Sequence, residues 1–386
     1  MARPKVRSSL DLIAGYHSAQ VDVEVRLNTN ESPEPPPSGF VDALKESLDS
    51  LQWNRYPDRE ARALRDRIAQ VESPLVSGGL SAENICVANG SNEILQSLCL
   101  AYGGPNRSVL TLEPTYALHQ HIAQVCGTDV KHVERDSEFQ LDLDQALAAI
   151  VAHRPSITFL CSPNNPTGMV ESSSTVRAVL DAVESVDGLL VVDEAYGQFA
   201  AWSALGLIEE ERSIVVTRTY SKTWSAAALR LGYLVAPTWV IEQLDKVLLP
   251  YHLDAVTQAA GLLALEYQSE MEQRVAGLVG ERTRVSAALA DLPVQQWPSE
   301  ANFILFRPLG PAAAAASAGT ATGTATDTHT ALAGNFGDLV WQGLVDRSVL
   351  VRNCSSWPRL SGCLRVTLGT AAENTKFLDA LGDVLA

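Results

Sequence analysis

In TRTYSKTWSAAALRLGYLV, residues 217–235, the one lysine, Lys222, is flanked by hydroxyl residues and followed eight positions on by Arg230. The apolar run SIVV before them reads as a buried strand, so the lysine falls where that strand ends. A lysine desolvated beside a second cation is held partly neutral and attacks aldehydes, whereas the same lysine in a solvated loop does nothing of the kind. Three other stretches raise the same question. In ANGSNE (88–93), Gly90, Ser91 and Asn92 lie between a strand and a helical pattern, which suits either a phosphate nest or an ordinary helix cap. CSPNNPTG (161–168) is a turn, or a turn that points two Asn amides into a site. VVDEAY (191–196) places two carboxylates at the end of an apolar strand; these are solvated loop charges unless a cation, such as a protonated heterocyclic nitrogen, meets them.

These stretches need a frame that brings them together. Apolar runs at 84–90, 108–114, 156–163, 189–196, 213–222 and 231–237 read as strands. They alternate with helical patterns such as LDLDQALAAIVAHR and SSTVRAVLDAVESV. That alternation predicts an α/β fold, a mainly parallel sheet sandwiched by helices, with ligands at the carboxyl ends of its strands. After about residue 255 the texture changes to helices followed by strands at 302–309, 348–353 and 363–369, a smaller α+β domain. The expected division is 1–45 as an N-terminal arm and part of the small domain, 46–254 as the large cofactor-binding domain, and 255–386 as the small domain. Within the last, the Ala-, Gly- and Thr-rich stretch 310–334 is expected to be a surface insertion with no core and little helix.

Composition limits the partners. Lys and Arg number 29 against 45 Asp and Glu, a net charge of −16, which argues against nucleic acid or an anionic membrane but leaves room for a locally basic pocket. Hydrophobic residues at 46% can build a substantial core. The six cysteines form no CxxC pair and have no histidines at metal spacing, so they read as free thiols in a reducing compartment, with no metal. Neither a signal-peptide core nor a membrane span is visible, and the cytoplasm is the expected location.

Lysine, carboxylate and phosphate nest together match what pyridoxal 5′-phosphate demands: an amine for its aldehyde, an acid at its ring nitrogen, and a cradle for its phosphate. With SPNNPTG, DEAY and YSK…LRLGY in that order, and with LIAGYHSA, RLNTNESP and LSGCLRVTLGT towards the ends, the chain resembles the fold-type I aminotransferases, and among them the histidinol-phosphate aminotransferases. The resemblance implies that Lys222 binds the cofactor covalently and, once released, moves the proton between Cα and C4′. It implies Asp193 at the pyridine nitrogen, Tyr196 and Asn165 at the phenolic oxygen, and Tyr116 stacked on the ring. Ser91, Asn92, Thr219, Ser221 and Arg230 are implied to hold the phosphate. Tyr56 would reach the cofactor phosphate of the neighbouring subunit in a homodimer, and Tyr16, Arg352 and Arg365 would bind the anionic end of the substrate. The implied reaction takes the amino group of histidinol phosphate to 2-oxoglutarate, giving imidazole-acetol phosphate and glutamate in histidine biosynthesis. The chain departs from the family at Asn92 (usually Asp), Ala228 (usually Gly) and Ser32 in NESP. The other readings are an aminotransferase for aromatic or other amino acids, with Arg365 on the α-carboxylate, a lyase or decarboxylase on the same scaffold, and a non-catalytic dimeric binding protein.

Overall fold

The computed structural model describes residues 4–7, 10, 13, 15, 21–310 and 327–386, with side chains of the last stretch from 336 on. Two sheets organise it. The larger has seven strands: β2 (Ile85–Ala88), β3 (Ser108–Glu113), β4 (Asp129–Glu134), β5 (Ile157–Cys161), β6 (Leu189–Asp193), β7 (Ile214–Thr219) and β8 (Gly232–Val235), in the order β2-β8-β7-β6-β5-β3-β4. From β7 across to β4 all neighbours run parallel, and β8 is antiparallel to both β7 and β2. Every residue of β5, β6 and β7 is buried, as expected for strands covered on both faces. The covering helices show why they form. Helix Ser173–Glu184 opens with Ser172 accepting from the Thr175 amide and buries Val176, Val179, Leu180 and Val183, one stripe at helical spacing.

The second sheet has the order β1-β11-β12-β10-β9, from β1 (Val25–Leu27), β9 (Val294–Gln296), β10 (Phe303–Pro308), β11 (Val349–Asn353) and β12 (Leu364–Thr367). Its first strand comes from the start of the chain and pairs in parallel with β11, so residues on either side of Val25–Leu27 are tied to the C-terminal third. A separate apolar cluster, including Phe303, Phe306, Leu344, Val366 and Phe377, packs beneath it. No helix among the described residues is long and apolar enough to cross a membrane.

Three expectations are corrected. Strand β4 is one the apolar runs do not predict, because at the sheet edge only Val133 of its six residues is buried. The strand at 213–222 ends at Thr219, and Tyr220–Thr223 form a short helical turn. Part of the 310–334 stretch is helical after all: a helix runs Asp327–Asp346, carried by the apolar pattern downstream of the insertion, while 311–326 lie outside the described residues.

Candidate active site

The carboxyl ends of β5, β6 and β7 open onto a cavity of about 340 Å³ that the second sheet closes from above. Lys222 enters it from the turn that follows β7. Thr219 caps that turn by accepting from the Ser221 amide at 3.2 Å, which fixes where the lysine leaves the backbone. The ammonium Nζ lies 5.9 Å from the centre of the Tyr196 ring and donates to the Thr29 carbonyl at 3.1 Å. Burial, followed by the guanidinium groups of Arg365 and Arg230, pulls its pKa down to about 8, with Glu31 opposing. This is the desolvated reading of the lysine.

Asp193 ends β6, almost fully buried. Its Oδ1 accepts from the Ala195 amide at 3.0 Å and from Thr217 Oγ1 at 3.3 Å, and its Oδ2 meets Nε2 of His119 at 2.9 Å. An ionised carboxylate has about four acceptor sites, so Oδ2 keeps room for one further donor on the cavity side. His119 is wholly buried, its ring stacked on Phe159 at 4.7 Å and edge-on to Tyr116 at 5.4 Å. The second carboxylate of the DEAY motif turns the other way. Glu194 binds Arg218 at 2.9 Å, and the far side of that guanidinium meets Glu72 at 2.9 Å, a buried structural cluster behind the site. Tyr196 is buried beneath Phe303; burial pushes its hydroxyl up to about 12, and that hydroxyl accepts from Asn30 Nδ2 at 2.8 Å.

Opposite Lys222 lies the start of helix Ser91–Tyr102. Its N-cap is Gly90, and no side chain caps it. Gly90 has φ +79°, and a Cβ there would stand 2.8 Å from Nη2 of Arg230, so only glycine lets that guanidinium lie against the loop. Likewise a Cβ on Gly232 would meet the Ser91 amide at 2.4 Å. Arg230, itself left-handed at φ 52°, reaches Ser221 Oγ at 3.4 Å. Ser91, Asn92, Thr219, Ser221 and Arg230 thus line one end of the cavity: an uncapped helix N-terminus, hydroxyls and a cation, the donor set a phosphate dianion needs. Asn92 accepts from the Tyr116 hydroxyl at 3.2 Å.

The roof carries two arginines. Arg352 and Arg365 are directly paired across β11 and β12, and both line the cavity. Arg352 stacks on Trp357 at 5.3 Å. Arg365 lies over Phe303 at 5.0 Å and binds Asn165 Oδ1 and the Asn28 carbonyl, while its buried Nε has no partner among the described residues. A planar guanidinium with a spare buried donor is suited to a carboxylate or phosphate.

Of the expected site residues, Lys222, Asp193, Tyr196, Asn165, Tyr116, Ser91, Asn92, Thr219, Ser221, Arg230, Arg352 and Arg365 all line this one cavity. Tyr56 does not: it is 79% exposed and stacked on Tyr251 at 4.5 Å on the outside of the chain. Tyr16 lies outside the described residues. Sequence reasoning missed His119, Thr29, Asn30 and Trp357. The segment RLNTNESP was the available signal for Thr29 and Asn30; a single histidine 74 positions from its aspartate gave none.

The requirements of pyridoxal phosphate are therefore met: a partly neutral buried amine, a carboxylate with a free acceptor site, and an uncapped helix start beside Arg230. Residues 22–381 match the model of the family described as aminotransferase class I and II. The chain is 40% identical to a histidinol-phosphate aminotransferase of Corynebacterium diphtheriae, over 98% of this chain and 96% of that one. It is 42% identical to the enzyme of the same name from Rhodococcus opacus, over 99% and 93%. Its fold matches the solved histidinol-phosphate aminotransferase of Sinorhizobium meliloti in complex with pyridoxal-5′-phosphate, with a TM-score of 0.78 at 22% identity over 94% and 91% of the two chains. The chain belongs to the class I and II aminotransferases, and its cofactor is pyridoxal 5′-phosphate.

Proposed function

We propose that this aminotransferase takes the amino group of L-histidinol phosphate and passes it to 2-oxoglutarate, leaving imidazole-acetol phosphate and glutamate. The observation that carries the reading is the pairing of Arg352 and Arg365 above a partly neutral Lys222, supported by the names of relatives about 40% identical over the whole chain. When bound, pyridoxal phosphate supplies an aldehyde that captures amines and a protonated ring that draws electrons from a neighbouring bond. Asp193, held by His119, Thr217 and the Ala195 amide, would keep the ring nitrogen protonated. Tyr196 and Asn165 would orient the ring's phenolic oxygen, Tyr116 would cover its face, and Ser91, Asn92, Thr219, Ser221 and Arg230 would hold the phosphate.

Lys222 has two tasks. Neutral, its amine would hold the cofactor at its aldehyde carbon; once freed, it would move the proton between the substrate Cα and C4′. Both need an amine that gives up its proton near neutrality, which is what burial beside Arg365 and Arg230 provides. The paired arginines would grip the phosphate of one substrate and the carboxylates of the other, joined by Tyr16. Trp357, stacked on Arg352, gives the substrate end an apolar wall.

Tyr56 fits a role across a homodimer. It is exposed and stacked on Tyr251, an aromatic pair of the kind two copies would cover. In that assembly its hydroxyl would reach the partner's phosphate end. The same reading takes residues 46–254 as the cofactor-binding domain, residues 1–45 and 255–386 as the arm and small domain, and the cytoplasm as the place of work. The test is a single half-reaction. Loaded enzyme is mixed with histidinol phosphate, phenylalanine or histidine, without keto acid, and the loss of the yellow band is followed. Fastest conversion to the pyridoxamine form with histidinol phosphate supports the proposal. Faster conversion with phenylalanine would make Arg365 an α-carboxylate binder in an aromatic transaminase, and carbon dioxide release would mark a decarboxylase.

A further inference from the structure

Behind Tyr196 a short relay of hydrogen bonds fixes where its hydroxyl proton points. Asn30, in the segment RLNTNESP, is buried and takes a left-handed backbone at φ 56°, a conformation Asn and Asp adopt more readily than most side chains. Its backbone amide donates to Thr367 Oγ1 at 3.0 Å, and its carbonyl accepts from Asn302 Nδ2 at 3.2 Å. Thr367, on β12, is buried as well. Having accepted the Asn30 backbone N–H, the threonine hydroxyl keeps one proton to give. Among the described residues its acceptor is Asn30 Oδ1, at 2.9 Å. That bond distinguishes the two ends of the Asn30 side-chain amide. With Oδ1 turned to Thr367, Nδ2 faces Tyr196 and donates to its hydroxyl oxygen at 2.8 Å. An amide NH2 donates and does not accept, so the phenol proton has no place on that bond. It turns to the other side of the oxygen, towards the cavity that Tyr196 helps to line.

We propose that Asn30 is a positioning residue for this site: keyed by Thr367, its amide occupies the Tyr196 oxygen and turns the phenol proton onto the phenolic oxygen of the cofactor. The inference rests on the placement of Tyr196 at that oxygen given above. It adds that the direction of the proton is set by two residues of the second sheet and its leading segment. The consequence is electrostatic. Negative charge on the phenolic oxygen holds the proton on the Lys222 nitrogen joined to the cofactor. A donor to that oxygen weakens the hold, so the nitrogen gives up its proton at lower pH. The other ionisable groups that act on Tyr196 and Lys222 are Arg365, Arg230, Asp193, Glu31 and Cys161. All of them remain in the variants below.

The experiment titrates the yellow band of the loaded enzyme against pH, with no substrate present. Y196F removes the donor and should raise the midpoint by about one pH unit. N30D keeps a residue that tolerates the left-handed turn but replaces the amide donor by a carboxylate, which accepts the phenol proton and draws it away from the cofactor. The added charge moves the midpoint with or without the tyrosine, so the quantity to read is the further shift that Y196F causes in each background. That shift should be present in the parent and absent in N30D. T367V removes the hydroxyl that keys the amide, adds no charge, and should shrink the Y196F shift in the same way. It serves as the test where N30D takes up no cofactor. A Y196F shift of full size in N30D, or in T367V where N30D stays empty, would overturn the proposal. An unmoved midpoint in Y196F alone would also overturn it, by taking Tyr196 away from the phenolic oxygen. Because no substrate is used, an error in the proposed amine donor leaves these results untouched.

Discussion

Replacing Lys222 by methionine removes the reactive amine, and the consequence for stability is as informative as the loss of activity. In the cofactor-free protein the amine has a pKa near 8 in place of 10.5, caused chiefly by burial and then by Arg365 and Arg230. At about 1.4 kcal/mol per tenfold change in proton affinity, that fall makes the charged lysine cost the fold roughly 3 kcal/mol at pH 7. Methionine is free of that cost but loses the hydrogen bond to the Thr29 carbonyl, worth about 1 kcal/mol. The variant should therefore be more stable than the parent by about 2 kcal/mol below pH 8. The sign then changes. Between the folded value and the unfolded one the unfolded chain binds more protons, so the parent gains stability as pH rises, and the curves should cross near about pH 10. The assay is the melting temperature of both cofactor-free proteins from about pH 7 to pH 11, where the gap at pH 7 should be roughly 2 °C for a chain this long. Tyr196 and the other tyrosines titrate in both proteins and drop out of the difference. A gap that stays constant with pH, or that favours the parent at pH 7, would refute the argument that Lys222 is desolvated.

Three further outcomes follow from the same geometry. Asp193→Asn cannot carry the negative charge that His119 and Thr217 position, and kcat should fall on the order of 10²–10³-fold in a steady-state assay while the protein still folds. Arg365→Lys keeps the charge but loses the planar fork that reaches Asn165 and the Asn28 carbonyl, so KM for the anionic substrate should rise about 10–100-fold with a smaller change in kcat. Arg218→Met leaves Glu72 and Glu194 as two buried carboxylates without their cation, and denaturant unfolding should show a loss of about 3–5 kcal/mol.

The sequence could be read furthest where chemistry and strand ends coincide. Lys222, Asp193, Asn165 and Arg230 were visible because a cation, a carboxylate or an amide at the end of an apolar run is locally unusual, and a parallel sheet gathers such ends at one edge. What stayed hidden depends on three-dimensional partnership. His119 sits on an unremarkable helix and matters only because Asp193 comes to it across the sheet. The contribution of Thr29 is a backbone carbonyl, which no side-chain pattern reveals. Glu194 resembles Asp193 in sequence, yet strand alternation turns it to the opposite face and to Arg218. Edge strand β4 has too little buried surface to leave an apolar signature.

The most direct measurement asks which amine holds the cofactor. The enzyme loaded with pyridoxal phosphate is reduced with borohydride, digested with trypsin and mapped by mass. A single phosphopyridoxyl label is expected on Lys222, within an undivided peptide spanning 219–230, because a labelled lysine resists cleavage. A label on Lys246 or any other lysine, or no label in protein that binds the cofactor, would contradict it.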